Sequence, residues 1–177
     1  MNVSSSKTDA GKKNINELIK TLKSEDGIAR QNARNSLIII GEPALDALIE
    51  AFEIKEEPVH WEVAKVLSQI GTSKAAGVLI DALEDNDFSV RWIAAEGLIH
   101  MGLKGLLPLL ESLRRKSDSV WLREGGHHVI HDLVNRKLVD EPTRKNLMPV
   151  LDALNHIDPV IQTNTAADNA LKSINFK

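Results

Sequence analysis

The chain has 177 residues, 42% hydrophobic and 27% charged, with a formal net charge of −3. It contains no cysteine, which excludes disulfides, thiolate catalysis and Cys-ligated zinc or iron–sulfur centres. The mildly acidic balance argues against a nucleic-acid partner, which wants a basic face, and no run of about 18 apolar residues offers a membrane span. The opening MNVSSSKTDAGKKN has no apolar leader, so a reducing cytoplasm is the expected compartment. With no Tyr, three Phe and three Trp, the core must come from Leu, Ile, Val and Ala, which suits close-packed helices better than sheets.

Residues 1–14 are polar and Ser/Lys-rich, predicting a disordered tail. Pairs of helices, A then B, follow. The A helices read INELIKTLK (15–23), ALDALIEAF (44–52), AAGVLIDAL (75–83) and LLPLLESL (106–113). Apolar residues at i, i+3, i+4 and i+7, as in Ile15, Leu18, Ile19 and Leu22, define one helical face. The ends of these segments, Leu22, Phe52, Leu83 and Leu113, recur at intervals of 30, 31 and 30. Such self-similarity marks stacked helical repeats. Polar turns follow each A helix, and the B helices are predicted to begin at Ala29, Val59, Val90 and Val120. Three of them close on a glycine, Gly41, Gly71 and Gly102, as a left-handed C-terminal cap requires. The fifth unit is irregular. Its A helix, LMPVLDAL (147–154), ends 41 residues after Leu113, and its B helix best places Ala170, Leu171 and Ile174 in the core.

The segment VRWIAAEGLIHMG (90–102) resembles the second helix of a HEAT repeat, with its Val-Arg opening, small residues and closing Gly. The short, Ala-rich form is similar to the HEAT-like repeats of phycobilin lyases. The resemblance covers residues 15–177 and implies an all-α, right-handed α-α superhelix of five hairpins. Their approximate bounds are 15–43, 44–74, 75–105, 106–140 and 141–177. It further implies a scaffold whose B helices line a concave surface for a protein or peptide partner, with no cofactor. The partner's identity and the oligomeric state are not written in the repeat.

Counted from the first Val of a B helix at about 100° per residue, positions 0, +4, +7, +8 and +11 form the core arc. Position +2 lies opposite and holds Gln31, Trp61, Trp92 and Leu122. An apolar stripe of Trp61, Trp92, Ile93 and Leu122, bordered by Glu62, Lys65, Glu96, His100 and Arg123, is the expected partner-binding groove. The two tryptophans also suit base stacking, but acidic residues interleave with the arginines and weigh against it.

The fourth repeat breaks the pattern. VWLREGGHHVIHDL, aligned on VRWIAAEGLIHMGL, puts Glu124, His127, His128 and His131 in the core arc. Buried polar groups need partners. A hydrogen-bonded network at the junction with the irregular fifth unit is the favoured account. The alternative is a metal site built on Glu124, His128 and His131 at i, i+4 and i+7, serving a metal-dependent or chromophore-handling enzyme. Iron-holding HEAT-repeat hydroxylases use His-Glu dipeptides, and this sequence has none. No GxSxG, HExxH or phosphate-binding glycine loop occurs, so no catalytic residue is assigned.

Overall fold

A computed structural model describes residues 14–54, 57–156 and 159–175. The expected disordered tail therefore lies, but for its last residue, outside the described residues. Helix α1 spans 14–21. It is followed by α2 (Gly27–Ile40), a 3-10 turn (Glu42–Ala44), α3 (Leu45–Glu53), α4 (Glu57–Ile70), α5 (Ser73–Ala82) and α6 (Phe88–Met101). The chain continues through α7 (Leu103–Arg115), α8 (Val120–Asn135), α9 (Glu141–Leu154) and α10 (Pro159–Asn175). Among the described residues there is no strand, and no helix is long and apolar enough to cross a membrane. The fold is an all-α solenoid.

Local chemistry sets the helix ends. Asp26, Thr72, Asp87, Ser119 and Asp140 each accept a backbone N–H of the turn they open, supplying one of the partners that a helix start lacks. Gly41, Gly71 and Gly102 end α2, α4 and α6 at φ of 69°, 65° and 57°, so the next helix starts almost at once. A second device repeats at the fourth residue after the cap. Arg30, Arg91 and Arg123 reach back to carbonyls of the preceding turn, at Ser24, Asp85 and Ser117. In the second hairpin this place belongs to His60, whose Nε2 lies 3.1 Å from the Ile54 carbonyl. The Arg of the Val-Arg opening is thus a clip that holds a B helix to its own turn.

The helices form two rows. The B row stacks α2 on α4, α4 on α6 and α6 on α8; the A row stacks α3 on α5 and α5 on α7. Leu48, Leu67, Leu79, Leu98, Leu109 and Leu113 lie between the rows and are fully buried. Burial of such side chains, at about 2 kcal/mol each, is what holds nearest neighbours together. The last hairpin departs from this order. Helix α10, not α9, packs on α7, while α9 packs on α8. Asn164 of α10 donates to the Arg114 carbonyl at the end of α7. The cause lies in the connection. Residues 136–140 replace the tight glycine turn, with Lys137 at φ 55°, and the longer link frees α9 from returning to the A row. The predicted core positions of α10 hold in part: Ala170 is buried, and Leu171 and Ile174 pack half-buried against the core.

The expected register of α8 is corrected. Its buried residues are Leu122, Gly126, Val129, Ile130, Leu133 and Val134, which stand at 0, +4, +7, +8, +11 and +12 from Leu122. Val120 is 55% exposed. Helix α7 ends at Arg115, and α8 starts 32 residues after α6, not 30. Two residues of slip turn a helix by about 200°. Leu122, expected to face outward, is therefore fully buried, and Glu124 and His131, expected in the core, are exposed.

Candidate partner-binding site

The corrected register brings together side chains from the starts of two adjacent B helices. In α6, Phe88, Arg91 and Trp92 surround the first turn; in α8, Trp121, Glu124, Gly125 and His128 face them across a cleft of about 290 Å³. Phe88 is 66% exposed, Trp92 49% and Trp121 38%. Their rings are ordered by neighbours. The Arg91 guanidinium lies 4.6 Å from the Trp121 ring centre and 5.6 Å from that of Phe88. That guanidinium is itself fixed by its clip bonds to Asp85 and Asn86. Trp92 stacks on His128 with centroids 4.9 Å apart and meets Phe88 at 6.3 Å. The cleft is floored where Gly125 meets Leu83: a Cβ on Gly125 would stand 2.9 Å from Leu83 Cδ2. A larger residue there would press on the Leu83 methyls and reshape the floor.

Such a cleft is apolar on its aromatic walls and carries one carboxylate, Glu124, at its edge. Aromatic rings held at low entropy and half-open to solvent are the commonest anchors of protein interfaces. The three rings are clustered rather than scattered singly over the surface, as an interaction site requires.

The other expected groove residues distribute unevenly. Trp61 and Trp92 stand at equivalent positions of adjacent repeats, but Trp61 is half-buried and its face is covered by Arg34, 5.5 Å from the ring centre. Glu62, expected at the groove border, is 5% exposed and accepts from Arg30 Nε at 2.9 Å and from Arg34. It is an internal link between the first two B helices. Ile93 is also buried. Lys65, Glu96 and Arg123 are half-buried and His100 is exposed, while the Arg123 Nη1 is taken up by its clip.

The four polar residues of α8 do not converge. Glu124 borders the cleft, and His127 stacks on His131 at 5.7 Å. His131 is held at its exposed edge by the Asn135 amide, 2.8 Å from Nε2. Burial, and after it the neighbouring His131 and His128, hold the His127 imidazole below its ordinary pKa. His128 turns instead toward Glu96 of α6, with Nε2 3.5 Å from Oε1. Neither the buried junction network nor a site of Glu124, His128 and His131 is formed. Phe88, Arg91 and Trp121 were not among the expected groove residues. The signal was present, since Ser119 is a cap residue four places before an arginine, as Asp26 and Asp87 are.

Residues 55–125 match the family model for HEAT repeats. None of the curated proteins matches the chain in sequence.

Proposed function

We propose that the chain, whose residues 55–125 match the HEAT-repeat model, is a non-catalytic adaptor that binds a protein or peptide partner along its B-helix row. HEAT repeats commonly act as protein-interaction scaffolds. The observation that carries the proposal is the open aromatic cleft of Phe88, Trp92 and Trp121, shared between the third and fourth repeats. An apolar or aromatic side chain of the partner fits between Trp92 and Trp121, with a donor of the partner meeting Glu124. Lys65, Glu96 and His100 lie along the same row of helices and supply its polar border.

The test uses peptides selected against the intact protein from a displayed random library, with their affinities measured by calorimetry. Trp92→Ala with Trp121→Ala is expected to weaken binding by about 30-fold or more, the loss of one interface hot spot. Far-UV circular dichroism should stay unchanged, because neither indole is in the core. Selected peptides that bind the double variant as tightly as the parent would refute the assignment of the cleft.

A further inference from the structure

We propose that Glu96, His128 and Asp132 form a site for one divalent transition-metal ion, which shares His128 with the partner cleft and Glu96 with its polar border. His128 and Asp132 are one turn apart on α8, and Glu96 reaches them from α6. One ligand atom from each lies within 4.8 Å of the other two, and all three side chains are half-buried. The second observation is the state of His128. Its Nε2 is shut off from solvent and has no hydrogen-bond partner among the described residues.

At 3.5 Å, the Glu96 oxygen is too far to satisfy that nitrogen as a hydrogen bond. The spacing is right for a shared ion. Two ligand atoms about 2.1 Å from a tetrahedral zinc stand ~3.4 Å apart. The imidazole plane is already fixed by its stack on Trp92, so little rotamer freedom is lost on binding. Asp132 is steadied by Arg136 Nη2, 2.6 Å from Oδ2, and its Oδ1 meets only the exposed His131 Nδ1 at a long 3.4 Å, a contact the ion would replace. Two carboxylates and one neutral imidazole balance a charge of two. The nitrogen ligand selects Mn, Fe, Co, Ni or Zn over calcium and magnesium, which prefer oxygen alone. Water would complete the shell, because three ligands on one side leave the remaining positions open.

The site is tested on the full chain, freed of metal with EDTA and without an affinity tag, by titrating Zn²⁺ calorimetrically and Co²⁺ by tryptophan fluorescence. One ion per chain is expected. His128→Gln and Asp132→Asn should each weaken binding at least ~10-fold, whereas His156→Gln, in the turn after α9, should not. Bound Co²⁺ should quench emission chiefly from Trp92, so Trp92→Phe should remove most of the quenching while Zn²⁺ binding persists. Absence of saturable one-to-one binding would overturn the proposal. So would equal binding by both ligand variants with their helicity intact. Neither result bears on peptide binding by the cleft, whose test contains no metal.

Discussion

Gly97 lies where α6 crosses α4 and α5, and replacing it with alanine probes the packing of the stack directly. A Cβ there would stand 2.7 Å from Ser68 Cβ, 3.1 Å from Ser68 Cα and 2.9 Å from Leu79 Cδ1. The Leu79 methyl can rotate away, but Ser68 Cα and Cβ move only with α4. Overpacking of this kind costs about 1–3 kcal/mol, and the immovable neighbour puts Gly97→Ala in the upper half of that range. Alanine recovers about 1 kcal/mol of helix propensity, leaving a net loss of about 1–2 kcal/mol. For a chain of this length that lowers Tm by roughly 3–6 °C. Gly77, exposed in α5 with nothing within 4 Å of its virtual Cβ, is the matched control. There only propensity acts, and Gly77→Ala should raise Tm by about 3 °C. Thermal and urea melts followed by circular dichroism at 222 nm measure both. Gly97→Ala equal to or more stable than the parent would refute the close crossing of α6 and α4.

Glu62→Ala leaves Arg30 and Arg34 without their shared carboxylate, at a cost of about 2 kcal/mol, since both guanidinia keep some access to water. The urea midpoint reads this loss, and Glu62→Gln should recover part of it by accepting one of the two bonds. His127 sets a pH dependence. Its folded pKa lies below the ordinary value near 6.5, so the unfolded chain binds the proton more readily. Its contribution to stability is therefore complete above that value and is lost as pH falls toward the folded pKa. His127→Gln should flatten the fall in urea midpoint between about pH 7.5 and 5.5, and an unchanged slope would refute this role.

The hairpins, their glycine caps and the first three B-helix registers were legible because each rests on local chemistry. Apolar residues at helical spacing, a cap and a glycine act over a few positions and repeat. The fourth register was not legible from apolar residues alone, because Val59 and Val90, 31 apart, are followed 30 residues later by Val120, an exposed residue in the first turn of α8. The clip arginine was the better ruler, since Arg91 and Arg123 are fixed to their turns by hydrogen bonds. That slip moved the site from Leu122 to Trp121 and took the histidines out of the core, His131 to the surface and His127 and His128 to half-buried positions. The long connection before the last hairpin was visible in the sequence, but the exchange of rows it permits was not. Periodicity says which face of α10 is apolar, not whether α7 or α8 will cover it.

The exchanged rows also bear on the entropy of closing the chain. Contacts along the B row join residues about one repeat apart, such as Arg30 and Glu62 with a separation of 32. Seating α10 on α7 joins Asn164 to Arg114, a separation of 50 that spans α8 and α9. The cost of closing a loop grows only with the logarithm of its length, so this longer reach adds about 0.4 kcal/mol. One buried methylene offsets that amount. A solenoid can therefore turn its last hairpin over at almost no penalty in chain entropy, once the connection is long enough to allow it and side chains fit at a single helix–helix contact.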